Sequence, residues 1–298
     1  MRDGDIPERR RLEEVLFHHE IEPDSRSLFV EGSVDVGLWR HLLSDSETAD
    51  VAVYEIDLVD IDGDFLIGRG LEDSRQGRVF GLASWLEENC SGSLCARVVC
   101  VADRDFGVFE FARIACSRYL VVTDATSIEM YLFTAEALDK FFRVALRVDL
   151  RGEEAVEVLG PALRELFCLR AASIRLGWGL SWISPTRCME LQGELVAFNR
   201  EEYLVRYLRS RLPERETFES VVDALRNELG RDPRKSGRGH DFIEILGWFV
   251  KSRVGSWKLR RLDEPQALAA ALLASMDTEA WRRTDFFTEV RSRFLGES

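Results

Sequence analysis

Short apolar runs at three places in the chain each end in acidic residues. Carboxylates that lie close together repel one another, so a cluster of them needs either raised pKa values or a bound cation. Oxygen ligands of this kind suit Mg²⁺ or Mn²⁺. The acids that would form such a cluster are Glu31, Asp103, Asp105, Asp124 and Glu129.

The most informative of these runs is residues 98–102, which is followed at once by Asp103, Arg104 and Asp105. Side chains two residues apart on an extended chain point to the same side. The apolar run ends at these acids, so we expect both carboxylates to project from the carboxyl end of a strand.

The acids need a scaffold that gathers strand ends, and the pattern of the chain predicts one. Unbroken apolar runs are typical of strands buried on both faces of a parallel sheet. Ligands bind outside the carboxyl ends of such strands, at the topological switch point. We therefore predict an α/β fold, a parallel sheet with helices on both faces, with the acids in one crevice. The predicted strands are 27–30, 51–56, 98–102 and 119–123, and the helices between and after them are 34–43, 76–87 and 128–133.

Other candidate residues have an ordinary structural explanation beside a functional one. Asp35 falls in the first turn of the helix at 34–43, where the helix dipole favours an acid, so capping and a site role stay equally open. Arg78 near the start of the next helix is suited to a phosphate, although a surface arginine is the default. Residues 57–77 are rich in Asp and Gly and are predicted to form a long loop.

The second half of the chain changes character, and no strand is predicted beyond residue 142. Helical patterns cover 153–175, with an interruption at Gly160-Pro161, then 201–212 and 218–229; residues 177–182 read as a packed loop. Residues 231–261 hold nine basic against three acidic residues, which suits contact with phosphates or an ordinary basic surface. Within them lie Arg238 and, at a predicted helix start, Gly239-His240-Asp241, where His240 is a candidate acid, base or phosphate ligand.

Composition limits the classes of function. The 298 residues carry a formal net charge of −13, which argues against coating nucleic acid by bulk electrostatics but leaves room for a nuclease with a local basic patch. The six cysteines are scattered without zinc-ligand spacing. No apolar stretch is long enough for a membrane span, and the charged start of the chain lacks the apolar core of a signal peptide, so we expect a cytoplasmic protein. The predicted domains are a helical extension at 1–26, a catalytic domain at 27–142 and a helical domain at 143–298.

The segments FVEGSVD, VVCVADRDF and VVTDATSIEMYL resemble the Toprim fold of topoisomerases, bacterial primases and OLD-family nucleases. Its signature, Glu-Gly after one strand and Asp-x-Asp after a later one, fits Glu31, Asp103 and Asp105. A closer resemblance is to a Toprim-like family found beside ATPases in bacterial antiphage islands, which includes the effector of PARIS-type defence. The chain departs from that family at Ser33, where relatives often carry Lys, and at Gln76, where a glycine is usual.

The resemblance implies a Mg²⁺- or Mn²⁺-dependent nuclease, a toxic effector of abortive infection that cleaves RNA such as tRNA in preference to DNA. It implies an AAA- or ABC-type ATPase partner and allows a homodimer. Glu31, Asp103 and Asp105 would be catalytic and would bind metal, with Asp124 or Glu129 completing the site; Glu31 could instead be the general base. Contacts with the substrate would fall to Asp35, Arg78, Arg104, Arg238 and His240.

Two other classes of function stay open. The chain could be a non-catalytic Toprim-like sensor that regulates its ATPase, with the acids binding metal structurally or capping helices. It could also be a small-molecule phosphotransferase, since fold does not fix function. The absence of a Walker A sequence and of a glycine-rich dinucleotide motif disfavours nucleotide binding by those routes.

Overall fold

The computed structural model of the chain describes residues 9–45, 47–90, 92–106, 117–192, 195–255, 262 and 264–296. By internal contacts these residues divide into two compact units. The first unit holds the described residues up to Arg104, then 117–124 and 278–296, and the second holds Asp105, Phe106 and 125–277. The end of the chain therefore belongs to the first unit, although the sequence analysis assigned it to a C-terminal domain.

A four-stranded parallel sheet forms the centre of the first unit, which confirms the predicted α/β class. Its order is β3-β2-β5-β6, and each neighbouring pair is parallel. The short strands β1 and β4 pair separately in parallel. The strands are β1 (Arg10–Arg11), β2 (Arg26–Val30), β3 (Val51–Glu55), β4 (Val59–Asp60), β5 (Val98–Ala102) and β6 (Leu120–Val122).

This strand order places the topological switch point between β2 and β5. The chain moves outward from β2 to β3, then crosses back over β2 to β5 and continues to β6. The connection after β2 leads towards β3, and the connection after β5 leads in the opposite direction, towards β6. A crevice therefore opens between the carboxyl ends of β2 and β5. Glu31 follows β2 directly and Asp103 follows β5 directly.

Buried strands explain why the sheet was predictable. Every residue of β5 is buried, and β2 is buried from Ser27 to Val30. Apolar side chains of α1, α4, β2 and β5 form one core cluster. The helices that precede and connect these strands are α1 (Leu12–Ile21), α2 (Ser33–Leu42), α3 (Gly63–Gly68) and α4 (Arg75–Asn89).

The predicted long loop at 57–77 is wrong over much of its length. It contains a 3-10 turn at Ile56–Leu58, the strand β4 and the helix α3. The carboxylate of Asp62 accepts hydrogen bonds from the amides of Asp64 and Phe65 at 2.7 and 3.2 Å, which caps α3. The Asp-rich composition therefore marks a helix start as well as a loop.

The second unit is mainly helical but also contains an antiparallel pair of strands that the sequence analysis did not predict. Strands β7 (Met189–Gln192) and β8 (Leu195–Phe198) pair in register Met189 to Phe198. The helices are α5 (Ala135–Lys140), which continues as a π-helical segment at Phe141–Leu146, then α6 (Gly152–Arg175), α7 (Arg200–Leu208), α8 (Arg215–Glu228), α9 (Gly239–Val254) and α10 (Pro265–Leu273). The chain then returns to the first unit in α11 (Thr278–Arg282) and α12 (Asp285–Leu295).

Helix α6 shows that packing can override a local breaker. The sequence analysis expected an interruption at Gly160-Pro161, but the helix runs through Pro161 without a break. Its residues on both sides of the proline, including Leu159 and Leu163, are fully buried. Among the described residues, no helix combines the length and the apolar character that crossing a membrane requires.

Candidate active site

Glu31 and Asp103 meet at the switch point of the parallel sheet in the first unit. The backbone amide of Asp103 donates a hydrogen bond of 2.9 Å to Oε1 of Glu31. Both residues are partly exposed, so solvent and a ligand can reach the acids. Two neighbouring strand ends therefore bring together two of the acids that the sequence predicted, in the crevice where open α/β sheets bind ligands.

Asp35 caps the turn that follows Glu31. Its Oδ2 accepts a 2.9 Å hydrogen bond from the amide of Gly32, just before helix α2 begins at Ser33. This contact realises the capping role that the sequence analysis left open beside a site role. The cap fixes the backbone directly after Glu31, so Asp35 also orients the edge of the candidate site.

The start of helix α4 brings an arginine to the same edge, and the sequence analysis missed it. Arg75 donates from Nε to Asp57 at 2.8 Å, and its side chain is 53% exposed. A Cβ at Gly32 would lie only 3.2 Å from Nη1 of Arg75. The guanidinium therefore packs against the glycine that follows Glu31, a close approach that a larger residue would crowd.

Gln76 ties this helix start to the end of β5. Its side-chain amide donates a 2.7 Å hydrogen bond to the backbone carbonyl of Asp103. Gly77 is required next to it, since a side chain there would collide with the backbone carbonyl of Glu72. Ser74 accepts from the amide of Gly77 at 3.1 Å and so caps α4. Gln76, one of the two departures from the motif named in the sequence analysis, thus has a contact of its own.

Arg78, the arginine that the sequence analysis selected, is engaged by acids of its own unit. It donates to Asp73 at 2.7 Å and lies 3.8 Å from Asp57, and its side chain is 18% exposed. The hydrogen bond with Asp73 raises the pKa of Arg78. Arg75 is the more accessible cation beside the candidate site.

Arg104 and Asp124 lie at the ends of β5 and β6 in the first unit. The backbone amide of Arg104 donates to Oγ1 of Thr123 at 2.9 Å, which links the two strand ends. Asp124 is exposed, and it directly follows Thr123. Both residues keep their places at the predicted edge of the sheet.

Asp105 belongs to the second unit and has an unusual backbone conformation. Its φ is 37°, in the left-handed region, which costs a residue other than glycine about 1–3 kcal/mol. Its amide donates to the carbonyl of Thr126 at 2.7 Å, and the amide of Thr126 donates to the carbonyl of Arg234 at 2.8 Å. Hydrogen bonds to the backbone therefore hold the strained residue in place.

The carboxylate of Asp105 has a cation next to it. Nε of Arg238 lies 3.6 Å from Oδ1 of Asp105, and the two side chains are only 22% and 25% exposed. Burial raises the pKa of Asp105, Glu129 raises it further, and Arg238 and His240 oppose the rise. Asp105 therefore has a pKa that is raised first by burial, and a neighbouring cation, which is the guanidinium of Arg238.

Glu129 lies against the start of helix α9. It accepts a 2.8 Å hydrogen bond from the hydroxyl of Ser127, the residue just before a 3-10 helix at Ile128–Leu132, where the sequence predicted a helix at 128–133. A side chain at Gly239 would collide with both Ser127 and Glu129. The glycine of the Gly-His-Asp motif therefore lets α9 begin directly on this carboxylate, while His240 is exposed.

The predicted site residues thus fall into two groups by unit. The predicted basic segment is described only as far as residue 255, so Lys258, Arg260 and Arg261 lie outside the described residues. Within the described part, Arg234 pairs with Asp232 and Arg253 with Glu154, both at 2.7 to 2.9 Å. The first unit holds Glu31, Asp35, Arg78, Asp103, Arg104 and Asp124, and the second holds Asp105, Glu129, Arg238 and His240.

In the described part of the chain, no group of three or more His, Cys, Asp or Glu side chains is arranged to hold a metal ion. Comparison of the chain with protein-family models and with curated proteins finds no match. The function must therefore be inferred from the geometry of the acids, the cations beside them and the sequence motifs.

Proposed function

We propose that the chain is a Mg²⁺-dependent nuclease that hydrolyses phosphodiester bonds, with RNA as its preferred substrate. The observation that carries the proposal is the pairing of Glu31 with Asp103 at the switch point of the parallel sheet. Open α/β sheets bind their ligands at this place, and acids there suit a divalent cation and a phosphate.

The residues of this edge fit Mg²⁺. This ion keeps several waters and usually takes only one or two carboxylates from the protein, together with phosphate oxygens of the substrate. Two partly exposed acids at neighbouring strand ends, with the amide of Asp103 bonded to the carboxylate of Glu31, meet that need, and a dedicated cage of three or more protein ligands is not required. Glu31 and Asp103 would hold the ion, which when bound would activate water and stabilise negative charge on the scissile phosphate.

Arg75 would bind a phosphate of the substrate at the same edge. Its guanidinium is half exposed and packs against Gly32, the residue after Glu31. Arginine forms bidentate, charge-assisted hydrogen bonds with phosphate. In a chain with a net charge of −13, attraction of a nucleic acid must come from such local cations.

The proposal retains the other assignments made from sequence. The resemblance further implies a catalytic role for Asp105, supporting roles for the acids Asp124 and Glu129, and contact with the substrate for Arg238 and His240. The resemblance to the effector of PARIS-type defence supports a toxic role in antiphage defence, controlled by an ATPase partner.

Induced expression in a bacterial host, followed by sequencing of RNA ends, tests the function. Wild type is compared with Glu31→Gln and Asp103→Asn, each with and without a candidate ATPase partner. Glu55→Gln is the matched control, because Glu55 ends β3 in the same sheet but lies outside the switch point.

We expect new RNA ends and growth arrest with wild type and Glu55→Gln, and neither effect with Glu31→Gln or Asp103→Asn. Full cleavage by both acid variants would refute the assignment. Intact RNA and DNA in the wild type, with the ATPase still bound, would support the alternative role of a regulatory binding module.

A further inference from the structure

We propose that Trp182 is a positioning residue that holds Arg238 against Asp105. In this proposal the buried ion pair between Arg170 and Asp241 keeps the indole of Trp182 in place. The inference rests on the proposed function, in which Asp105 and Arg238 take part. All of these residues belong to the second unit.

The first contact is between Trp182 and Arg238. The guanidinium carbon of Arg238 lies over the Trp182 ring, 4.0 Å from its centroid, while Nε of Arg238 is 3.6 Å from Asp105. A guanidinium stacked on an aromatic face is attracted to it and loses freedom to rotate away. The indole therefore restricts the arginine to the place where it meets the acid.

A second guanidinium holds the indole in turn. The guanidinium carbon of Arg170 lies 4.4 Å from the centroid of the Trp182 ring. Arg170 pairs with Asp241 at 2.8 Å, and both side chains are 3% exposed. Asp241 lies three residues after Arg238, in the first turn of α9, so this pair ties the indole to the segment that carries Arg238.

The buried pair is not explained by stability alone. Within the described part of the chain, Nε of Arg170 and Oδ2 of Asp241 have no hydrogen-bond partner. An ion pair that is buried and incompletely hydrogen-bonded is rarely better for stability than apolar residues of similar size. In the proposal, the role of the ion pair is to fix the orientation of the Arg170 guanidinium over the Trp182 ring.

The other neighbour of the indole is the residue that follows Asp105. Phe106 meets Trp182 edge-on at 5.5 Å between centroids and stacks on Phe167 at 4.7 Å. Phe167 and Arg170 both project from α6, one turn apart. Trp182 thus contacts the arginine that faces Asp105 and also the residue next to Asp105, and α6 supports both contacts.

The exposure of Trp182 argues against a simple core role. Trp182 is 42% exposed, and it lies in the stretch 178–184, which has no helix or strand. The same segment offers a matched control in Trp178, which stacks on Phe218 at 5.5 Å and has Arg211 over its ring at 5.4 Å. Trp178 therefore also has an aromatic neighbour and an arginine, but these are Phe218 and Arg211 and not Phe106 and Arg238.

The test measures the side chain of Arg238 directly and, separately, cleavage. In ¹⁵N-labelled protein the Nε–H signal of Arg238, assigned with Arg238→Lys, reports stacking on an indole through its ring-current shift. We expect Trp182→Ala to move this signal to the position of an unstacked arginine, Trp182→Phe to move it only partly, and Trp178→Ala to leave it unchanged.

In the cleavage assay we expect Trp182→Ala to lose about 10-fold or more in rate, with partial rescue in Trp182→Phe. In an Arg238→Ala background, Trp182→Ala should add little, because its effect passes through Arg238. An unchanged Arg238 signal in Trp182→Ala, or full additivity with Arg238→Ala, would overturn the inference. A wild type that cleaves nothing while the Arg238 signal still moves would refute the proposed function and leave the positioning role standing.

Discussion

Glu31 and Asp103 form an acid cluster in the first unit, and Asp105 belongs to a second acid cluster, in the second unit. The two clusters differ in the groups that contact their carboxylates. In the first unit, Glu31 accepts a hydrogen bond from the backbone amide of Asp103. In the second unit, Asp105 has the guanidinium of Arg238 at 3.6 Å. A backbone amide orients a carboxylate but carries no net charge, whereas a guanidinium cancels its charge.

This difference assigns different tasks to acids that the sequence presented as one set. Glu31 and Asp103 lie partly exposed at a ligand-binding edge, and acids at such an edge suit a divalent cation. Asp105 is strained, partly buried and already beside a cation, so its geometry depends on the side chains that hold Arg238. Substitutions that change one cluster should therefore have effects that the other does not share.

The largest effect among neighbours of the first cluster should come from Arg75. Arg75→Ala removes the exposed guanidinium beside Gly32, and we expect cleavage to fall about 10- to 100-fold, chiefly through KM, because a charged hydrogen bond to phosphate contributes about 1.5–3 kcal/mol. The measurement is the rate of RNA cleavage against substrate concentration at two salt concentrations. Arg78→Ala is the control, and an equal or larger loss there would show that Arg78 is the phosphate contact.

A medium effect on stability should mark the second cluster. Arg238→Ala leaves Asp105 partly buried without its cation, and we expect the free energy of unfolding to fall by about 1–2 kcal/mol, between the values for exposed and buried pairs. Adding Asp105→Asn should restore part of that loss, because the uncompensated charge is then removed. Chemical denaturation of wild type, Arg238→Ala, Asp105→Asn and the double variant measures this. Additive losses in the double variant would contradict the electrostatic coupling.

The smallest effect at neutral pH is that of His19, which influences stability only as the pH falls below 6.5. Burial lowers the pKa of His19 in the first unit to about 4 from 6.5. The unfolded chain then binds the proton more readily than the folded one between these values, so stability falls as pH drops from 6.5 towards 4. Denaturation across this range should show a shallower slope for His19→Gln than for wild type or for the exposed control His41→Gln. An unchanged slope would contradict the burial effect.

Much of the first unit could be predicted because its signals are local. The runs that form β2 and β5 are buried nearly throughout, so hydrophobicity alone marks them as central strands. Glu31 and Asp103 directly follow those strands, so the parallel pairing of β2 with β5 brings the two residues together. The short helix α3 was missed because its main signal is one capping residue, Asp62, inside an Asp-rich stretch.

The second unit was harder to predict because its decisive contacts are distant in sequence. Trp182 meets Arg238 across more than fifty residues, and no spacing rule links them. Helix α6 passes through Pro161 because buried packing on both sides of the proline outweighs the lost backbone hydrogen bond.

Arg75, in the first unit, had a local signal that the sequence analysis did not use. Ser74 is a capping residue, and Arg75 follows it as the first residue of α4.

A titration of the purified chain with Mn²⁺ tests the central claim without any substrate. Binding is measured as the loss of the electron paramagnetic resonance signal of free Mn²⁺. The account predicts binding by wild type and by Glu55→Gln, and at least 10-fold weaker binding by Glu31→Gln and Asp103→Asn with unchanged folding. Asp105→Asn in the same series measures how far the second acid cluster contributes. Binding by Glu31→Gln and Asp103→Asn at wild-type affinity would contradict the account.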